Sequence, residues 1–204
     1  MKLRLQSNQI ESYLRRTDVV DCDDPGIVRL AERLKSKTAS ETDLIHRTYE
    51  FVRDEIDHSA DIQGKVVTCK ASEVLAAKEG ICFAKSHLLA ALLRANGIPS
   101  GFCYQRLRLD ETADSPFVLH GLNGVFVSEI GHWIRLDVRG NKNGINARFS
   151  VTEEHLAFPI RPEQGEIDYP IIYPDPVDVV IDALTRWRIF EKLWANLPNT
   201  IEPE

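Results

Sequence analysis

Apolar positions recur at helical spacing from Asp24 onward. Ile27, Leu30, Ala31 and Leu34 share one face, with Asp24 placed to cap the helix and Pro25 suited to its first position. A second helical set, Leu44, Ile45, Thr48, Phe51, Val52 and Ile56, follows Ser40-Glu41-Thr42-Asp43, a capping box with Asp in the acidic slot. This helix is expected to end near His58, and a loop-like stretch leads to Cys69. Ser72 to Lys78 predicts a short helix that Gly80 stops. Gly80 also launches a longer helix through Leu88, Leu89, Ala91, Leu92 and Leu93, which closes on Asn96-Gly97 with Pro99 just beyond. So broad an apolar surface implies a central, buried helix.

Past Ser100 the period shifts toward two. Gly101 to Leu109, Phe117 to His120, Val125 to Val127 and His132 to Val138 read as strands of an antiparallel sheet, with turns at 110–115 and 128–131. Two short extended pieces, Leu3-Arg4-Leu5 and Asp18-Val19-Val20-Asp21, precede the helices. Beyond Ser150 the prolines at 159, 162, 170, 174 and 176 predict an extended surface path. One amphipathic helix then closes the chain, beginning at Asp175-Pro176 and carrying Val180, Leu184, Trp187, Ile189, Phe190 and Trp194, and it is expected to pack on the core. The expectation is an α+β domain over residues 1–150, with its core at 68–140 and the segment 151–204 packed on the same domain.

At 204 residues one hydrophobic core suffices. A formal net charge of −6 argues against a nucleic-acid partner, which would want a basic face. No stretch approaches the ~18 apolar residues of a membrane span, and Met1 to Asn8 has no apolar leader core, so no membrane partner and a cytoplasmic location are expected. The four cysteines form no C-x-x-C pair, so neither a zinc ribbon nor a redox dithiol is suggested, and no cofactor or metal is expected.

Chemistry concentrates on Cys82, between the glycine turn Lys78-Glu79-Gly80-Ile81 and the apolar helix. A helix N-terminus presents unpaired N–H groups and a partial positive charge, which favour an ionised sulfur and can hold a developing oxyanion. The bland alternative is a small apolar residue under a helix. Thiol catalysis needs a base and a group that orients it, and His120 and Asp137 on later strands can supply both. Asp137 is costly inside Trp133-Ile134-Arg135-Leu136-Asp137-Val138 without a partner; a salt bridge to Arg135 or Arg139 is the competing account. His58 and Gln63, ahead of the nucleophile, are candidate oxyanion donors, set against a plain surface-polar role. Tyr104 and Arg106, alternating with Arg108 on one strand face, and Asn141 and Asn143 in the polar turn after Asp137 are candidate substrate contacts. His87, five positions after Cys82, reads as a core histidine.

Gly80-Ile81-Cys82, the run Leu88 to Ser100, His120 and Trp133-Ile134-Arg135-Leu136-Asp137 together resemble the transglutaminase-like superfamily of cysteine enzymes over about residues 68–140. The resemblance implies an α+β, papain-like fold with N-terminal helices, the nucleophile on a central helix packed against an antiparallel sheet, and a C-terminal helix. It also implies acyl-enzyme chemistry with Cys82 as nucleophile, His120 as base and Asp137 as orienter. The family follows its histidine with an aromatic and then an acidic residue, whereas here Gly121-Leu122-Asn123-Gly124 follows, which implies a different neighbouring pocket. A small bacterial-style member without a calcium-loop pattern looks more like a hydrolase or peptidase, with a peptide, protein or small amide as substrate, water as default acceptor and a homo-oligomer allowed. The alternative is a catalytically silent peptide-binding module on the same fold.

Overall fold

The computed structural model describes residues 2–110, 112 and 114–201. Residues 1 and 202–204, at the outer ends of the two expected segments, and positions 111 and 113 of the expected 110–115 turn lie outside the described residues. The chain runs through β1 (Arg4–Leu5), α1 (Pro25–Lys35), α2 (Glu41–Glu55), β2 (Asp57–His58), α3 (Ala71–Ala77), β3 (Glu79–Gly80) and α4 (Cys82–Ala95). It continues through β4 (Ser100–Arg108), β5 (Phe117–Val127), β6 (His132–Leu136), β7 (Ile167–Asp168), β8 (Ile171–Ile172), α5 (Asp178–Arg186) and α6 (Phe190–Trp194).

The helix starts follow from local chemistry. The Asp24 carboxylate accepts from the N–H groups of Gly26 and Ile27 at 2.7 and 3.2 Å, and Ser40 Oγ accepts from the Asp43 N–H at 3.1 Å. The Asp43 carboxylate reaches back one residue further than a capping box requires, to the Ala39 N–H at 3.3 Å. Lys78 ends α3 in the left-handed conformation at φ 60°, two residues before Gly80. Gly80 is therefore not the stop signal; its constraint is space, since a Cβ there would lie 3.1 Å from both Ala84 Cβ and Thr68 Oγ1.

β6, β5, β4 and β7 form an antiparallel sheet in that spatial order. Every residue of α4 except Ala95 is buried, and its leucines pack with Phe102, Val125, Val127, Ile134 and Leu136 in the main core. Cys103 and Leu122 alternate to the other face, where they join Tyr13 and Ile172 in a smaller cluster. Two short parallel pairs flank the sheet, β1 with β8 and β2 with β3.

Three expected elements differ. Residues 18–21 form no strand; Val20 is buried and the Val19 carbonyl accepts from the Ala71 N–H at 3.0 Å, so the segment is anchored by α3 instead. β5 runs unbroken through Gly121-Leu122-Asn123-Gly124, because those glycines are ladder residues paired with Tyr104 and Gly101 of β4. The single closing helix is two, since Ile189 leaves helical geometry to bridge Val66, and the Phe190 N–H donates to the Lys65 carbonyl at 3.2 Å.

Candidate active site

Cys82 is the first residue of α4 and lies 8% exposed in the wall of a cleft of about 690 Å³, a volume typical of small-ligand sites. No side chain caps α4, and the Cys82 N–H meets no acceptor among the described residues. The thiol thus sits beside an unsatisfied donor at the positive end of a helix.

His120, in β5, and Asp137, directly after β6, reach the same place. His120 Nε2 lies 2.8 Å from Asp137 Oδ2, which leaves Nδ1 as the ring nitrogen available to the thiol. Burial opposes a charge on His120, but the Asp137 carboxylate, hydrogen-bonded to the ring, and the nearby Cys82 sulfur outweigh it and raise the imidazole to about 10. Phe158 closes the ring edge-on, its centroid 5.0 Å away.

Asp137 is fully enclosed yet well supplied with donors. Its Oδ2 also accepts from the Ala157 N–H at 3.0 Å, and its Oδ1 from the Arg139 N–H at 3.0 Å. Burial would raise this carboxyl, but the His120 charge and the three hydrogen bonds hold it below its ordinary value. Neither neighbouring arginine pairs with it. Arg135 engages Glu154 and Asp168 at 2.7 and 2.6 Å, and the Arg139 guanidinium binds Asp61. Three fixed donors leave this carboxylate one orientation, and that orientation fixes the imidazole.

Lys85, one turn into α4, is wholly buried. Its Nζ donates to the carbonyls of Arg53, Ile56 and Arg139 at 3.1, 2.5 and 3.3 Å, tying α4 to the end of α2 and to the segment after Asp137. Burial and the Arg139 charge lower its ammonium to about 8.

His58, Asn143 and Arg108 line the cleft with the thiol. Gln63 does not; it is exposed in a turn at φ 53°. Tyr104 and Arg106 also lie outside the lining. Tyr104 is buried with its hydroxyl accepting from the Val177 N–H at 3.1 Å, and Arg106 donates to the Asn199 and Gly165 carbonyls while stacking on Phe117. Asn141 closes its own loop by bonding both backbone groups of Ala147. His87 donates through Nδ1–H to the Cys69 carbonyl, 2.7 Å away, and burial lowers it to about 4.

The glycine after His120 serves packing. A Cβ at Gly121 would lie 2.6 Å from Phe83 Cδ1, so β5 approaches α4 there as only glycine permits. Asn123 then binds the Ser86 and Gly101 carbonyls at 3.0 and 3.2 Å, fastening the strand to the helix one turn past the thiol.

Sequence reasoning missed the Ala157 N–H, Phe158 and Lys85. A backbone donor carries no residue-type signal, but a lysine inside the apolar run Phe83 to Leu93 was a legible one.

The family model that matches is described as the transglutaminase-like superfamily and covers residues 28–138, more than half of the chain. Among solved structures, a "Putative Cysteine Protease" from Cytophaga hutchinsonii is similar at 19% identity with a TM-score of 0.52, over 65% of this chain and 43% of that one. The periplasmic domain of TgpA from Pseudomonas aeruginosa, bound to ethylmercury, is similar at 19% identity with a TM-score of 0.46, over 62% of this chain and 46% of that one. The chain spans less than half the length of either structure, and at 19% identity the likeness to the Cytophaga hutchinsonii structure speaks for the fold alone. No curated protein matches the chain.

Proposed function

The chain belongs to the transglutaminase-like superfamily, and from that premise we propose that it is a cysteine-dependent acyl-transfer enzyme, a hydrolase or peptidase acting on an amide carbonyl. The Cys82 proton rests on His120 Nδ1, and Cys82 Sγ attacks the carbonyl carbon as the thiolate. The tetrahedral intermediate collapses as His120 returns that proton to the leaving amine, and a thioester to Cys82 remains. Water then attacks the thioester with His120 as base, and an amine entering the same cleft would complete a transfer instead.

The observation that supports this reading is the buried Asp137–His120 pair, 2.8 Å apart, whose free ring nitrogen is left for a thiol at an uncapped helix start. A buried carboxylate held by three donors is a costly arrangement, and its chemical return is a fixed, basic imidazole.

Acetyl transfer from p-nitrophenyl acetate, read by the mass of the Cys82 peptide and by nitrophenolate release, tests the proposal. Cys82→Ala is expected to abolish the adduct without unfolding the chain. Asp137→Asn is expected to slow acylation by about 10³- to 10⁴-fold by misorienting the ring. A wild-type thiol that takes no acetyl group would favour the peptide-binding module.

A further inference from the structure

Two histidines line the cleft, and the Asp137–His120 mechanism uses one of them. His58 is placed by the parallel pairing of β2 with β3, in which Asp57 stands opposite Glu79 and His58 opposite Gly80. The register sets the His58 ring beside the backbone that leads into Cys82, two residues on. The residue is 7% exposed, and its ring forms part of the cleft wall with Cys82 and His120.

The two ring nitrogens of His58 have different surroundings. Nδ1 lies 3.3 Å from the Ala60 N–H, which can only donate. Nδ1 is therefore the acceptor, and in the neutral ring the proton sits on Nε2. Among the described residues Nε2 meets no hydrogen-bond partner. Burial, then the charges of Arg139 and Lys85, hold His58 far below the ordinary histidine value, against the opposing pull of Asp61. Asp61 itself is engaged by the Arg139 guanidinium and by Lys142 Nζ. His58 thus has neither the carboxylate partner nor the open lone pair of a general base. What it has is a fixed, neutral N–H donor on a residue that lines the cleft, and Cys82, which lines the same cleft, brings a second donor without an acceptor in its own N–H.

We infer that His58 Nε2–H and the Cys82 N–H together form the oxyanion hole of the acyl-transfer reaction, with His58 donating to the carbonyl oxygen as it becomes an alkoxide. The inference rests on the acyl-transfer reading of the cleft. A neutral donor suits the role, because it strengthens its bond as charge develops and surrenders no proton to the oxyanion.

Two reactions of the same thiol separate this role from a structural one. Acetylation by p-nitrophenyl acetate passes through a tetrahedral oxyanion; the Sγ–C bond forms, nitrophenolate leaves, and the thiol proton rests on His120. Alkylation by iodoacetamide displaces iodide at a methylene carbon and generates no oxyanion. His58→Ala is expected to slow acetylation of Cys82 by on the order of 10²- to 10³-fold while alkylation stays within about twofold. His58→Gln, whose amide N–H reaches the position of Nε2, is expected to recover most of the acetylation rate. Equal acetylation of wild type and His58→Ala overturns the inference and leaves the acyl-transfer reading standing. A parallel fall in both reactions also overturns it, since His58 would then act through the thiol. Failure of the wild type to accept acetyl overturns the acyl-transfer reading and the inference with it.

Discussion

His120 and His58 share one cleft, and their neighbours set them to opposite states. His120 has a buried carboxylate on one ring nitrogen and the thiol near the other, so it retains its proton; His58 is buried beside Arg139 and Lys85, which together with burial outweigh the pull of Asp61, and it stays neutral. The sign of the His120 shift makes a stability prediction. The folded chain keeps a proton that the unfolded chain releases, so the stabilisation is complete below the unfolded value of about 6.5 and is lost as pH rises through about 10. Asp137 acts at the other end, its contribution present above its ordinary value and lost as pH falls through the depressed one. The difference in unfolding free energy between wild type and His120→Ala, measured in urea from pH 6.5 to 10, is expected to shrink steadily as pH rises. Taking the difference cancels Lys85 and the other groups whose titration does not depend on His120. A difference that stays flat would mean that His120 carries no extra proton in the folded state.

α4 is the element on which the site depends, and it was the most legible part of the chain. Its C-terminal signal at Asn96-Gly97, its apolar breadth and the thiol at its start could all be read locally, as could the caps at Asp24 and Ser40. Elements set by distant partners were not legible. β5 looked like two pieces because Gly121 and Gly124 have no side chain to show a period, yet they are glycine because Phe83 and Ile172 occupy the space. The break between α5 and α6 is fixed by a bridge from Ile189 to Val66, and the burial of His58 by a two-residue strand pairing. Gly121→Ala tests the first of these. Its Cβ would meet Phe83 Cδ1 at 2.6 Å, against a ring that is 1% exposed and adjoins Cys82 in the chain. The expected cost is about 1–3 kcal/mol, read as a lower urea midpoint with slower alkylation of Cys82. An unchanged midpoint would show that α4 and β5 separate there at little cost.

The cleft draws its walls from the whole length of the molecule. Cys82, His120 and Asp137 come from the centre of the chain, but Ala157 supplies a hydrogen bond to Asp137, and Trp194 and Leu197 form part of the wall. Glu154 and Asp168 hold Arg135 of β6, and the Leu119 N–H, one residue before His120, donates to the Pro198 carbonyl at 2.7 Å. Val180, Leu184, Phe190 and Leu193 lie in the same core as α4. The tail therefore acts as structural support for the site. Deleting residues 178–201 is expected to remove the cooperative unfolding transition, since the core loses four buried apolar side chains whose burial contributes roughly 1.5–3 kcal/mol each. A truncated chain that unfolds as sharply as the full one would make the tail an accessory.

Alkylation of Cys82 by iodoacetamide, followed from pH 5 to 10 by peptide mass in wild type and His120→Ala, tests the thiol–imidazole pairing most directly. The other thiols give little background: burial raises Cys22, and pushes Cys69 and Cys103 up to about 11 and about 12. A rate already near its plateau at neutral pH, and lost in His120→Ala, is the predicted result. A rate that climbs only toward pH ~8.5, as for an ordinary thiol, and is the same in both proteins would contradict the pairing on which the acyl-transfer account stands.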